Sequence, residues 1–138
     1  MTATSFFDTN VFLYVVSAAA EDAPKRQKAI ELIRDHDFAI SVQVMQEFAD
    51  AALRKKRLGV TASEIREMLE ELAGNYPVLS PTPNLVFRAL DLSARYQIRY
   101  YDAAILAAAQ ELGCQTLYSE DFSNGQTYDT VQVLNPFL

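Results

Sequence analysis

Phe7-Asp8-Thr9-Asn10-Val11 decides how this chain is read. A β-compatible run at residues 5–7 meets three polar residues that all favour a helix N-cap, and the dense apolar pattern of 11–19 then predicts a buried helix. Strand, acid, helix is the opening unit. Downstream, Pro24 suits the first turn of a helix reaching Asp35, with Ala29, Ile30 and Ile33 as its apolar stripe. Residues 38–40 read as a second strand. Ser41 is placed to cap a helix over 42–57, with Val44, Met45, Phe48, Ala49, Ala52 and Leu53 facing inward and Gly59 ending it. Thr61-Ala62-Ser63-Glu64 is a capping box for a helix to about residue 73. Residues 78–79 form a brief strand, and Pro81-Thr82-Pro83 supplies a cap and an N1 proline for a helix over 84–96. The Ala-rich stretch 101–112 is helical up to Gly113, and strands at 116–118 and 131–134 flank a polar loop, 119–128. Short strands alternating with longer helices predict an α/β fold of three layers, with a mostly parallel central sheet of four to five strands, in one domain over 1–138.

The composition, 50% hydrophobic and 22% charged, is that of an ordinary soluble protein. No apolar stretch is long enough for a membrane span, and the start lacks the basic and apolar runs of a signal peptide, so a cytoplasmic location is expected. Cys114 is the only cysteine, which excludes an intrachain disulfide or thiolate cluster and reads as a partly buried structural thiol. His36, the sole histidine, lies in the charged turn Arg34-Asp35-His36-Asp37 and reads as a surface residue. A histidine-rich zinc centre and paired-histidine acid–base chemistry are therefore excluded within one chain.

Four acids stand at positions that matter in such a fold, because ligands of open α/β sheets gather beyond the carboxyl ends of the strands. Asp8 directly follows the first strand, Asp121 follows the strand at 116–118, and Asp102 sits in the first turn of its helix. Glu47 shares a helix side with Val44, Phe48 and Ala51. Each acid alone has a structural explanation as a cap or turn residue. Asp102 resists it, since Ile105, Leu106 and Ala109 turn its face toward the core, where an unpaired charge is costly. Together the four are a hard-oxygen donor set suited to Mg²⁺ or a similar cation, which takes one or two protein carboxylates plus water and phosphate oxygens.

The net charge of −6 argues against passive binding of a polyanion. Setting the four acids aside leaves 14 acidic residues against 12 basic, and bound cations would offset the rest. The run Arg54-Lys55-Lys56-Arg57 is a candidate phosphate track, as is the looser group Lys25, Arg26, Lys28 and Arg34. Solvated cations near helix C-termini explain both equally well.

On these residues the chain resembles the PIN-domain family, specifically the VapC toxins of bacterial toxin–antitoxin pairs. The strings that carry it are Phe7-Asp8-Thr9-Asn10-Val11, Gln46-Glu47-Phe48, Tyr101-Asp102-Ala103-Ala104-Ile105, Leu117-Tyr118-Ser119-Glu120-Asp121-Phe122 and the tail Val133-Leu134-Asn135-Pro136-Phe137. The resemblance spans nearly the whole length. It implies an endoribonuclease of α/β/α fold, a homodimer, Mg²⁺ or Mn²⁺ held by Asp8, Glu47, Asp102 and Asp121, and a VapB-like antitoxin as partner. Thr9, Asn10 and Ser119 would orient carboxylates or water. Glu120 competes with Asp121 for the fourth place, with Asp121 favoured. The implied reaction is in-line attack of water on the scissile phosphorus while a cation neutralises the phosphoryl oxygens.

Two other enzyme and signalling classes share a strand ending in an acid. A haloacid-dehalogenase-type phosphatase needs a second Asp where this chain has Asn10, and both it and a receiver-type phosphoacceptor need a late lysine; the last here is Lys56. Two readings within the resemblance stay open: a nuclease of RNA processing outside a toxin pair, and a PIN-like module that binds RNA or protein without cutting.

Overall fold

The computed structural model describes residues 3–138. β1 (Ser5–Phe7) and β2 (Phe38–Ser41) are buried at every position. Strands covered on both faces require helices above and below them, and this is the arrangement found. β3 (Val78–Leu79), β4 (Thr116–Tyr118), β5 (Thr127–Tyr128) and β6 (Val131–Leu134) complete one sheet in the order β3-β2-β1-β4-β6-β5. All neighbours are parallel except β5 and β6. The helices are α1 (Thr9–Val16), α2 (Ala23–Asp35), α3 (Val42–Arg54), α4 (Ala62–Asn75), α5 (Pro83–Tyr96) and α6 (Tyr100–Glu111). The α/β architecture expected from the strand and helix alternation is present, with six strands rather than four to five.

The additional strand is β5, inside the stretch read as a polar loop. It holds only two residues, turned back onto β6 by Asp129 at φ 56°. So short a segment carries no periodicity to detect.

Several boundaries differ for local reasons. α1 begins at Thr9, whose N–H is accepted by Asp8, and ends at Val16 rather than near residue 19. Ser17 turns extended there, its hydroxyl bonds Asp22, and the Ala18 N–H reaches the Leu58 carbonyl. α3 stops at Arg54, and residues 56–58 wind into a 3₁₀ turn closed by Gly59 at φ 69°, a left-handed conformation that glycine adopts without steric cost. Leu53, expected inward, is 54% exposed, and Ala51 is buried in that stripe. On α2, Leu32 is buried in place of Ile30, which is 42% exposed.

An aromatic column anchors the sheet. Phe7 stacks on Phe38 with centroids 4.3 Å apart, and Phe38 on Tyr76 at 4.0 Å. His36 belongs to this column and is half-buried, which corrects its reading as a surface residue. Its ring meets Phe7 and Tyr118 edge-on, Nδ1 donates to the Leu32 carbonyl at 3.0 Å, and Nε2 accepts from the Tyr118 hydroxyl at 3.2 Å. The carbonyl can only accept, which fixes that tautomer. Cys114 is buried, its thiol 3.5 Å from the Ser5 carbonyl and pushed up to about 11 by desolvation, an inert structural sulfur. Among the described residues no helix is long and apolar enough to cross a membrane.

From β1 the chain moves outward to β2 and β3, then returns to place β4 on the opposite side of β1. That reversal opens a crevice at the carboxyl ends of β1 and β4.

Candidate active site

Parallel register sets Phe7 beside Tyr118, so the residues that follow them, Asp8 and Ser119, become neighbours. The Asp8 N–H donates to the Tyr118 carbonyl at 3.0 Å, extending the ladder by one bond. Asp8 is buried. Its Oδ1 accepts the Thr9 N–H at 2.7 Å and its Oδ2 accepts the Ser119 hydroxyl at 2.7 Å. Ser119 Oγ in turn accepts the Asp121 N–H at 3.1 Å. Asp121 Oδ2 accepts from Asn10 Nδ2 at 3.2 Å, which brings the chain of bonds back to α1.

Glu47 enters from α3. The Thr9 hydroxyl donates to its Oε1 at 2.9 Å, and Gln43 Nε2 donates to its Oε2 at 3.2 Å and to the Tyr101 carbonyl at 3.0 Å. Both carboxylate oxygens are thus held. Gln43 was not singled out in the sequence, although it lies one helical turn before Glu47, where the two side chains must meet.

The three aspartates are shifted in one direction. Desolvation pushes the Asp8 carboxyl up to about 7, against the lowering bonds from Ser119 and Thr9, with the charges of Asp121 and Glu47 adding to the rise. Asp102 is raised by burial and then by Asp121, and Asp121 is raised by burial and then by Glu120. Such mutual elevation is what carboxylates do when they share a site without a cation. Asp102 makes no side-chain hydrogen bond among the described residues and joins the group through this field.

Glu120 is directed elsewhere. It accepts from the Tyr14 hydroxyl at 2.7 Å and from Lys25 at 3.3 Å, and Lys25 also reaches the Tyr14 hydroxyl at 3.1 Å. Asp121, not Glu120, is bonded into the network of Asp8, Thr9, Asn10 and Ser119.

A cleft opens over this network, lined by Thr9, Asn10, Glu47, Glu120 and Asp121 together with Arg54, Lys55, Arg57 and Arg99. Asp8, buried, and Asp102 lie outside its immediate lining. Of the basic run, Lys56 does not line the cleft, Arg54 pairs with Asp50, and Arg57 pairs with Asp22 at 2.8 Å and Glu21 at 3.4 Å. The looser basic group does not form a track. Lys25 is bonded to Glu120, Arg26 to the Ser17 carbonyl, Lys28 to the Leu138 carbonyl and Arg34 to Asp35. Arg99, one turn ahead of Asp102, was also not singled out.

Among the described residues no three acids close tightly enough to cage an ion by themselves. The donor set nevertheless fits a hard cation that keeps much of its water, since such an ion needs only one or two carboxylates. Asn10 supports the fit: its Oδ1 is buried without a hydrogen-bond partner while its nitrogen holds Asp121. An open oxygen beside elevated carboxylates is satisfied by a cation or its water.

A family model, the PIN domain, matches residues 5–123. No curated protein matches the sequence. Among solved structures, the chain is similar to a toxin–antitoxin complex from Klebsiella pneumoniae, at 19% identity and TM-score 0.72, over 96% of this chain and 97% of that one. It is similar to VapC20 of Mycobacterium tuberculosis, a toxin that cleaves the sarcin–ricin loop, at 21% identity and TM-score 0.67, over 85% and 89%. It is also similar to VapBC2 of Rickettsia felis bound to promoter DNA, at 15% identity and TM-score 0.64, over 94% and 96%. At these identities the likeness establishes a shared fold.

Proposed function

The chain belongs to the PIN-domain family, and on that premise we propose that it is a Mg²⁺- or Mn²⁺-dependent endoribonuclease, the VapC-like toxin of a toxin–antitoxin pair. The observation that carries the reading is the continuous bond network from Glu47 through Thr9, Asp8 and Ser119 to Asp121, with Asp102 in the same field. Asp8, Asp102 and Asp121 would hold the cation. Once bound, it would neutralise the phosphoryl oxygens and make water a nucleophile at neutral pH.

The remaining work falls to the chain's own groups. Glu47, with one oxygen fixed by Thr9 and the other by Gln43, is set to orient the attacking water or take its proton. Ser119 holds Asp8 and the Asp121 backbone in register. Lys55 would meet RNA phosphates at the cleft rim. The partner in this reading is a VapB-like antitoxin, as in the Rickettsia felis complex, with a segment laid across the acidic cleft where an Arg would find carboxylates. A homodimer would cover the apolar face of α5 and α6, where Val86, Phe87, Leu90 and Tyr101 are exposed.

The test is incubation of the purified protein with total cellular RNA and Mg²⁺ or Mn²⁺, followed by end mapping. Discrete cuts that vanish with chelator and in Asp8→Asn support the reading. Binding across many RNAs without cleavage would favour a non-cutting module. Absence of an antitoxin reading frame beside the gene would move the nuclease outside a toxin pair.

A further inference from the structure

The chain has eight arginines, and seven are engaged. Arg34, Arg54, Arg57, Arg66 and Arg88 make ion pairs, Arg26 donates to the Ser17 carbonyl, and Arg95 lies over the Tyr96 ring. Arg99 makes no ion pair or side-chain hydrogen bond among the described residues. It is exposed and lines the cleft beside Asn10 and Asp121.

Helix capping does not account for a cation there. Arg99 is the N-cap residue of α6 and offers no side-chain cap bond. The N-terminal end of a helix carries partial positive charge, so a cation at that end is the disfavoured sign. It is nonetheless at the site: it lines the same cleft as Asn10 and Asp121 and stands three residues before Asp102 at the start of α6. The guanidinium is therefore close to the acidic network yet free.

We propose that Arg99 is a substrate-binding residue that forks onto a backbone phosphate of RNA lying in the cleft, with Lys55 as a second phosphate contact. This rests on the ribonuclease reading above. A planar guanidinium matches two phosphate oxygens at once, which a point charge does not. A carboxylate-lined cleft repels a polyanion, and an uncommitted arginine at its edge offsets that repulsion where the strand must enter. Lys55 is the other cleft-lining cation outside the ion pairs among the described residues, so the two can receive phosphates without breaking existing bonds.

The experiment is fluorescence anisotropy with a labelled single-stranded RNA oligonucleotide and Mg²⁺, in a Glu47→Gln background that blocks cutting and leaves the three cation-holding aspartates in place. Dissociation constants are measured across KCl from about 50 to 200 mM. Adding Arg99→Ala should weaken binding about tenfold at the lowest salt and flatten the log–log salt slope by roughly 0.7, the value for one single-strand phosphate contact. Arg99→Lys should restore the slope while recovering only part of the affinity. Arg88→Ala, which removes a surface pair with Glu111, should match the parent. If the parent binds RNA and Arg99→Ala reproduces both its affinity and its slope, the assignment of Arg99 is wrong and the nuclease reading stands. If the parent binds no RNA, both fall.

Discussion

Ser119 donates its hydroxyl to Asp8 across 2.7 Å and accepts the Asp121 N–H with the same oxygen, so one buried group couples the ends of β1 and β4. Removing it should raise the Asp8 carboxyl further above 7 and release the Asp121 loop. A hydrogen bond to a charged group contributes about 1.5–3 kcal/mol, which corresponds to one to two pH units. Ser119→Ala should therefore shift the acidic limb of the pH–rate profile upward by about one unit and lower the maximal rate. An unmoved limb would assign Ser119 to packing alone.

Asp8 makes the metal-free protein pH-sensitive in a defined direction. Its folded carboxyl, near 7, lies above the ordinary 3.8, so between those values the folded state holds a proton that the unfolded state has lost. Stability then falls as pH rises from about 4 to 7 and levels off above, by at most roughly 4 kcal/mol. Asp8→Asn abolishes this dependence. In chelator, the variant should melt well above wild type at pH 8 and close to it at pH 4; equal melting temperatures at both values would contradict the burial argument.

Cation binding should run the other way. A proton must leave Asp8 before a cation takes its oxygens, so the affinity of wild type for Mn²⁺ should rise toward tenfold per pH unit below about 7 and flatten above it. At about one hundred times the dissociation constant, the cation should stabilise the fold by ~2.7 kcal/mol. Calorimetric titration at several pH values, with Asp8→Asn as the non-binding control, measures both.

Asp121 and Glu120 are adjacent in sequence and opposite in role. Glu120 is bound by Tyr14 and Lys25, while Asp121 faces Asn10. Asp121→Asn should reduce cleavage by a hundredfold or more, of the order seen when a transition-state electrostatic partner is lost, about 2.7–4 kcal/mol. Glu120→Gln should retain activity within a few-fold. The reverse ranking in a steady-state assay would exchange their assignments.

The exposed apolar residues of α5 and α6 give the proposed dimer its test. Phe87 is 60% exposed and Tyr101 62%. Phe87→Glu should convert a dimer to a monomer by light scattering without changing the melting of the monomer. A wild-type monomer at micromolar concentration would remove that part of the proposal.

Much of this was legible because the informative residues sit at element ends. Asp8, Ser41 and Thr61 mark helix starts by chemistry that needs no tertiary context, and the capping box of Thr61 and Glu64 forms as read. Asp102 stood out as a charge on a core-facing helix side. Gln43 and Arg99 did not, because a glutamine and an arginine near helix starts are ordinary until the fold shows what they face. His36 was misplaced for a related reason: its turn is charged, and only the packing of Phe7 and Tyr118 draws the ring inward. Leu53 and Ile30 erred by about one helical position, since a stripe at 3.6-residue spacing does not say which edge the neighbours cover.

The return of the chain to β1 has a consequence for folding. Asn10 and Asp121 meet across 111 positions of sequence, and Ser119, which completes the bonds to Asp8, follows β4 at the same separation. A chain folded only through α6 owns Asp8, Glu47 and Asp102 and can pair β1 with β2, but has nothing to pair with the other edge of β1. The acidic network cannot assemble until β4 has docked beside β1, so the site forms only after the long-range pairing of the sheet is made.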